Sequence, residues 1–237
     1  MIADCVILAG GFGTRLQSVV ADKPKCLAEI QGVPFLYYLC KYLQQFQPER
    51  VIFSVGYKME MVIDYIDLIR HEFTMDFLFA KEHEPLGTGG AIVNAIPFVQ
   101  TDDFFVMNGD TLFDVNLTEM LTWQKDKMAD CTLALKTMMN ADRYGLVNLD
   151  AQHEIIAFEE KQVGKSGLIN GGVYCIYKKG FVSIPFPTKF SFEKDYLEKF
   201  LHERSMTGFI QDAYFIDIGI PEDYTKAQTE IPQLFTC

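Results

Sequence analysis

The chain contains 237 residues with a formal net charge of −11, and 49% of its residues are hydrophobic. This length and composition predict a soluble globular protein with a sizeable core, and the acidic balance excludes the basic surface that nucleic-acid binding requires. The apolar stretches are far shorter than the roughly 20 residues that cross a bilayer, so we expect no membrane partner.

Strand-like and helix-like segments alternate through the first half of the chain. Apolar strands are predicted at residues 5–9, 51–55, 77–80 and 104–107, and helices at 34–46, 59–70 and 88–96. Continuous apolar strands that alternate with helices are typical of a parallel sheet covered by helices on both faces.

The second half changes character. Strands are predicted at residues 131–136, 145–150, 153–159, 172–178 and 214–218, and helices at 194–202 and 221–228. Consecutive strands joined by turns favour a mixed, partly antiparallel extension of the sheet. No linker-like segment separates the halves, so we expect a single domain over residues 1–237, with lobes at about 1–130 and 131–237.

The cysteines and histidines give no sign of a zinc site or a disulfide framework. The six cysteines contain no C-x-x-C pair, and the four histidines contain no H-x-x-x-H or H-E-x-x-H pair. The first residues also lack the positive region and long apolar segment of a secretory signal. These features predict reduced cysteines in a cytoplasmic protein.

A glycine-rich segment follows the first strand and carries Gly10, Gly11 and Gly13, with Arg15 shortly after. Glycines let the backbone approach a ligand closely and turn N–H groups towards phosphate oxygens. A dinucleotide fingerprint is excluded because Leu16 stands where its last glycine belongs. A simple glycine-rich turn is the alternative interpretation.

A second glycine–lysine sequence, Gly164-Lys165-Ser166, has the ending of a Walker phosphate loop. Glu159 occupies the position of the leading glycine, so this loop is also excluded.

Two aspartates lie at the ends of predicted strands. Asp110 follows the strand at 104–107, and Asp217 lies between Ile216 and Ile218 in the strand at 214–218. Parallel α/β sheets bind ligands beyond the carboxyl ends of their strands, and a carboxylate among apolar residues is costly unless it is paired or bound to metal. Magnesium prefers one or two carboxylates plus phosphate oxygens. A turn aspartate remains the alternative for Asp110.

The segment from Glu84 to Ala91 leads into a predicted helix. Its backbone amides can therefore face an anion or sugar hydroxyls, although an ordinary helix entry has the same composition.

These segments together resemble the sugar-1-phosphate nucleotidyltransferases over nearly the whole chain. The motifs are G-G-x-G-T-R-L after the first strand, then K-P-K, then E-P-L-G-T, with Gly89 where the family has alanine. The resemblance implies a Rossmann-like three-layer α/β fold with a mixed, mostly parallel central sheet and a smaller antiparallel sugar-binding lobe. It also implies a Mg²⁺-dependent reaction between a nucleoside triphosphate and a sugar 1-phosphate.

The same resemblance assigns roles to individual residues. It implies that Arg15 and Lys25 are catalytic, because they neutralise charge on phosphate, and that Asp110 and Asp217 bind the metal ion. The residues that it implies for nucleotide binding are Leu8, Gly10, Gly11, Gly13, Thr14, Leu86, Gly87, Thr88 and Asn108.

The sugar side rests on shorter matches. Glu159-Glu160-Lys161 resembles the family's E-K-P element with Gln162 in place of proline, and the segment from Asn170 to Tyr174 resembles N-A-G-I-Y. The residues implied for substrate binding are Gly109, Tyr144, Gly145, Glu160, Lys161 and Asn170.

Among the subfamilies, the chain most resembles D-glycero-D-manno-heptose 1-phosphate guanylyltransferases, followed by mannose-1-phosphate guanylyltransferases. The segment from Asp217 to Gln228 favours the heptose group, and GTP is then the expected nucleotide. A cytidylyl-, uridylyl- or thymidylyltransferase shares every motif above, and a non-catalytic nucleotide sensor on the same scaffold is a remote alternative. The sequence is compatible with a homo-oligomer but carries no signal for one.

Overall fold

A computed structural model describes residues 2–11 and 23–235 of the chain. The strands are β1 Cys5–Leu8, β2 Glu29–Ile30, β3 Val33–Pro34, β4 Arg50–Val55, β5 Asp76–Lys81, β6 Asp103–Asn108, β7 Thr111–Phe113, β8 Cys131–Met138, β9 Leu146–Leu149, β10 Ile155–Glu159, β11 Gly167–Tyr177, β12 Met206–Ile210 and β13 Phe215–Asp217. The α-helices are α1 Phe35–Gln44, α2 Met59–Ile69, α3 Gly87–Ala95, α4 Leu117–Lys127, α5 Lys178–Val182 and α6 Pro221–Leu234.

Within the described residues the central sheet has nine strands, and its middle is parallel. β1 lies between β4 and β6, and β5 continues the parallel arrangement beyond β4. On the other side of β6, β11 joins in the antiparallel sense, followed by β8 and β12. The expected mixed, mostly parallel α/β sheet is therefore present, and β1 occupies its centre.

β11 pairs with two different strands along the same edge. Its C-terminal half pairs with β6, whereas Ile169 near its start pairs with Leu146 of β9. The pairing register with β8 shifts between Asn170 and Tyr174, which marks an irregularity where the two halves meet. The β9–β10 hairpin thus forms an antiparallel extension of the sheet.

The central sheet is buried on both faces because successive side chains of a strand point to opposite sides. Cys5 and Ile7 pack into one core with side chains of α1, α2, α4 and α6. Val6 packs into a second core with side chains of α3, α5 and a π-helical turn at Glu193–Glu198. The result is the three-layer arrangement that the sequence predicted.

Several elements were not predicted from the sequence: the short strands β2, β3 and β7, the short helix α5, and the longer elements α4 and β12. α4 is capped by Asn116, whose side-chain oxygen accepts hydrogen bonds from the N–H groups of Thr118 and Glu119. The predicted helix at 194–202 is shorter than expected, because only the π-helical turn at Glu193–Glu198 is formed before irregular turns begin.

Candidate active site

A cleft of about 690 Å³ opens beyond the carboxyl ends of β1, β4 and β6. This is the edge at which parallel sheets bind ligands. Its lining residues are Leu8, Ala9, Gly10, Gly11, Lys25, Cys26, Gly56, Tyr57, Glu82, His83, Glu84, Pro85, Gly87, Thr88, Ala91, Asn108, Gly109, Asp110, Thr111, Glu193 and Asp217.

The ends of β1 and β6 approach each other closely at the floor of this cleft. The N–H of Gly109 donates a hydrogen bond of 3.0 Å to the carbonyl of Leu8. A Cβ atom at position 109 would lie only 2.6 Å from that carbonyl oxygen, so a side chain there would force the strands apart. Glycine at this position therefore allows the chain just before Asp110 to lie against the end of β1.

Asp110 and Asp217 are brought together by a short antiparallel ladder. Asp217 of β13 pairs with Thr111 of β7, and the N–H of Ile218 donates a hydrogen bond of 3.0 Å to the carbonyl of Asp110. The two carboxylates thus lie on the same side of the cleft, although they are more than a hundred residues apart in the sequence. Their role as metal ligands stays a prediction.

Lys25 lies between the two carboxylates. Its ammonium group donates a hydrogen bond to Asp110 and lies 3.7 Å from Oδ1 of Asp217. Lys25 is mostly buried, with a side chain that is 16% exposed. The ammonium group therefore balances part of the negative charge that the two carboxylates concentrate at one point.

The electrostatics of this cluster favour a further cation. Burial, and then the negative charge of Asp110, raise the pKa of Asp217, and Lys25 and the N–H of Gly219 lower it less. Within residues 2–11 and 23–235, no group of three or more His, Cys, Asp or Glu side chains forms a candidate metal site. Two carboxylates that retain open coordination space suit Mg²⁺, which takes few protein ligands and keeps the rest for water and phosphate.

Hydrogen bonds with α6 hold the segment that follows Lys25 in the sequence. Gln228 of α6 accepts a hydrogen bond of 2.8 Å from the N–H of Gln31, and its own carbonyl accepts one of 2.8 Å from the Gln31 side chain. Tyr224 and Gln228 also donate hydrogen bonds to the carbonyl of Glu29. The β2–β3 hairpin, which follows Lys25 directly, is therefore held on α6, which follows Asp217.

The segment that enters α3 packs against residues 188–193. The N–H of Gly89 donates a hydrogen bond of 3.0 Å to the carbonyl of Phe190, and Gly87 adopts a positive φ of 73°. Gly87 and Thr88 line the cleft as the resemblance implies, whereas Leu86 is not among the lining residues. The segment acts as a helix entry and also faces the cleft, and its role in binding a ligand stays a prediction.

Of the residues implied for substrate binding, Gly109 lines the cleft, and the other five are not among its lining residues. The ring of Tyr144 packs 5.9 Å from that of Phe215, and burial, followed by the charge of Asp217, raises its pKa to about 12. The side chain of Asn170 accepts a hydrogen bond from the N–H of Gly172 and donates one to the hydroxyl of Tyr174. Both polar atoms of its amide thus already make one hydrogen bond within the protein, and its role in substrate binding stays a prediction.

Three other residues of this group lie in the β9–β10 region. Gly145 lies against the carbonyl of Glu159, and Glu160 and Lys161 follow β10 as exposed residues. Their assignment to substrate binding stays a prediction. Gly13, Thr14 and Arg15 lie outside the described residues.

Sequence reasoning missed several residues that line the cleft, notably Glu82 and Glu193. Glu82 directly follows β5, a strand parallel to β4 and β1, so the rule that ligands bind at carboxyl ends could have identified it. Glu193 lies in the π-helical turn, far from every recognisable motif. No local signal in the sequence marks it.

Across the described residues, no helix is both long and apolar enough to cross a membrane.

Comparison with known proteins gives consistent relatives over nearly the full chain. The profile of the family described as Nucleotidyl transferase matches residues 4–233. The D-glycero-alpha-D-manno-heptose 1-phosphate guanylyltransferase of Aneurinibacillus thermoaerophilus is 46% identical over 228 residues, which are 96% of this chain and 98% of that protein. The enzyme of the same name from Campylobacter jejuni is 43% identical over 220 residues, which are 92% of this chain and 96% of that protein.

A solved structure is also similar to this chain in fold and in sequence. The crystal structure of HddC from Yersinia pseudotuberculosis complexed with GMP-PN matches with a TM-score of 0.86 at 40% identity. The match covers 96% of this chain and 98% of that chain. The fold and the sequence therefore lead to the same group of proteins.

Proposed function

This chain belongs to the nucleotidyl transferase family, and we propose that it transfers a guanylyl group from GTP to D-glycero-α-D-manno-heptose 1-phosphate and releases pyrophosphate. The relatives that carry this activity in their names match both chains almost from end to end. Full-length similarity of this kind supports the transfer of the activity as well as the fold.

The observation that carries the proposal is the convergence of Asp110, Asp217 and Lys25 in the cleft that Gly10 and Gly11 also line. Two carboxylates suit a divalent cation, and a fixed ammonium group suits phosphate oxygens. The space beside them is a cleft of about 690 Å³, which falls in the usual range for small-molecule sites.

The proposed reaction is an in-line displacement at phosphorus. A phosphate oxygen of the sugar phosphate attacks the α-phosphorus of GTP and forms the new P–O bond. The bond from the α-phosphorus to the bridging oxygen breaks, and its electron pair leaves with pyrophosphate. The attacking phosphate is already anionic, so no general base is required, and the protein acts by positioning and charge stabilisation.

We propose that Asp110 and Asp217 hold Mg²⁺, which supplies positive charge to phosphate oxygens when it is bound. Lys25, together with Arg15 by family resemblance, supplies the protein's own positive charge to the same phosphates. The described cysteines are buried and unpaired, which supports the cytoplasmic location that we propose for this chemistry.

Glu82 supports guanine as the base. Its carboxylate lines the cleft and accepts hydrogen bonds from the hydroxyl of Ser54 and from the N–H of Leu86, at 3.0 and 3.3 Å. An ionised carboxylate has about four acceptor sites, so further acceptor capacity remains. Guanine presents two adjacent donors, N1–H and the N2 amino group, to such an acceptor.

The test is a substrate panel assayed by pyrophosphate release. GTP, CTP, UTP, dTTP and ATP are each combined with heptose 1-phosphate, mannose 1-phosphate and glucose 1-phosphate. We expect the highest kcat/KM for GTP with the heptose phosphate. A higher kcat/KM with mannose 1-phosphate, or with another nucleotide, would contradict the proposed specificity, and nucleotide binding without turnover of any pair would contradict the enzymatic function itself.

A further inference from the structure

Glu193 is a carboxylate of the cleft that none of the roles above employs. It begins the π-helical turn at Glu193–Glu198 and lines the cleft together with Gly87 and Thr88 from the start of α3. Its π-helical turn packs into the opposite core to β7, which Asp110 directly precedes, and β13, which contains Asp217.

One oxygen of Glu193 is held firmly by the protein. Its Oε2 accepts hydrogen bonds from the hydroxyls of Thr88 and Ser191, at 2.7 and 2.9 Å. The hydroxyl oxygen of Thr88 in turn accepts a hydrogen bond of 2.8 Å from the N–H of Phe192. This chain of donors fixes the direction of each hydroxyl hydrogen and leaves the carboxylate little rotational freedom.

The other oxygen of Glu193 remains available. Among residues 2–11 and 23–235, no donor forms a hydrogen bond with Oε1. A carboxylate that is oriented at one oxygen and available at the other is a preorganised acceptor. Its ligand is a hydrogen-bond donor and not a phosphate oxygen, because the negative charge of the carboxylate would repel phosphate oxygens.

We infer that Glu193 accepts hydrogen bonds from hydroxyl groups of a bound sugar ring and so helps to determine saccharide specificity. The inference rests on the proposed function, which brings two such rings into the cleft, the sugar of the sugar 1-phosphate and the ribose of the nucleotide. Thr88 then acts on the substrate partly through Glu193, because its hydroxyl orients the carboxylate.

The test compares Glu193→Gln with the wild-type enzyme. The amide oxygen of glutamine can still accept from Thr88 and Ser191, but its amino group then offers a donor to the cleft in place of an acceptor. Loss of a charge-assisted hydrogen bond predicts a KM that rises by about tenfold or more for one substrate, with a much smaller change in kcat. Glu198→Gln, an exposed position in the same turn, is the matched control and should leave both constants unchanged.

Deoxy substrates identify the ring that is bound. If Glu193 contacts the ribose, the wild-type enzyme should have a higher KM for 2′-deoxy- or 3′-deoxy-GTP than for GTP. The Glu193→Gln variant should have the same KM for the deoxy nucleotide as for GTP. If it contacts the sugar phosphate, deoxy analogues of that sugar should show the same non-additivity. Either pattern supports the inference, because a purely structural role predicts additive losses.

Two outcomes would overturn the inference. One is a KM within twofold of wild type for both substrates, and the other is a fall in kcat accompanied by a lower melting temperature with no deoxy-substrate effect. These results are distinct from failure of the proposed function, which would appear as absent turnover by the wild-type enzyme on the substrate panel.

Discussion

At the scale of single residues, the candidate site depends on the balance of charge among Asp110, Asp217 and Lys25. The sequence identified all three, because each lies in a motif with a clear chemical reason for its position. The rule that ligands bind at the carboxyl ends of parallel strands could also have identified Glu82, which directly follows β5. Glu193 could not be identified as a cleft residue, since its place depends on how the π-helical turn packs against α3.

Asp110→Asn tests the assignment of the metal ligand. We expect kcat to fall by about two orders of magnitude or more, because the variant loses charge that would bind the cation beside the reacting phosphate. The melting temperature should change by only a few degrees, since Lys25 and Asp217 remain and the pair is partly exposed. Steady-state kinetics and thermal denaturation measure the two effects.

Asp212→Asn is the control for that experiment, because Asp212 is exposed and pairs with Lys136 away from the cleft. Full activity of Asp110→Asn with Mg²⁺ would show that Asp110 does not bind the metal ion.

Gly89→Ala introduces the residue that the family motif carries at this position. A Cβ atom at position 89 would lie 2.1 Å from the ring of Phe190, which stacks on Phe186 at 4.3 Å. Overpacking costs about 1–3 kcal/mol, whereas alanine gains roughly 1 kcal/mol in a helix, so we expect a net loss of stability. Chemical denaturation measures the change.

Phe190→Leu in the Gly89→Ala background provides the matched test. The smaller side chain should recover part of the lost stability if the ring is the obstacle. Equal destabilisation in the single and double variants would contradict this explanation.

At the scale of elements, α6 connects two parts of the site, the hairpin that follows Lys25 and the strand that contains Asp217. It contacts the β2–β3 hairpin through Tyr224 and Gln228 and begins four residues after Asp217. The sequence predicts this helix but says nothing of its partner, because the contact depends on side chains almost two hundred residues apart.

Gln228→Ala should loosen the hairpin that follows Lys25. It removes the hydrogen bonds to the N–H of Gln31 and to the carbonyl of Glu29. At an exposed site each bond contributes at most about 1 kcal/mol to the free energy of unfolding. We expect kcat/KM to fall several-fold with a modest loss of stability, measured by kinetics and thermal denaturation. Thr229→Ala, one position further along α6, is the control, and equal activity of both variants would rule out a positioning role for Gln228.

Among the elements that were not predicted, α4 and β12 have only a weak local sequence pattern, for physical reasons. Only Leu117, Met120 and Gln124 of α4 are buried, so its apolar stripe is narrow and the helical period is weak. β12 contains Gly208, which lowers the strand signal, although a side chain there would collide with Leu135 and Leu149. In both cases tertiary packing supplies what local pattern lacks.

At the scale of the whole molecule, the parallel half of the fold is more predictable than the rest. Strands β1, β4, β5 and β6 are continuous apolar runs separated by helices, and that pattern predicts that they run parallel to one another. The forked pairing of β11 with β6 and β9 is harder to predict, because Gly171-Gly172 can signal an irregularity in the strand but does not say which strands pair on either side of it.

Removal of divalent cations should stop catalysis without unfolding the protein. Lys25 already neutralises part of the carboxylate pair, so the fold does not need the metal ion for charge balance. With EDTA we expect turnover to be lost and the melting temperature to stay within about 3 °C in the absence of nucleotide. Restoration of activity by added Mg²⁺ completes the test, and a large fall in melting temperature would assign the ion a structural role instead.

The ladder between β7 and β13 has a consequence for the way the protein is made. While the chain is being synthesised, the strands around β1 can assemble before β13 has been made. α6 follows β13 and draws the β2–β3 hairpin against it. A nascent chain that has not yet reached Asp217 therefore lacks half of the acidic pair, and the site can form only after β13 and α6 have been added.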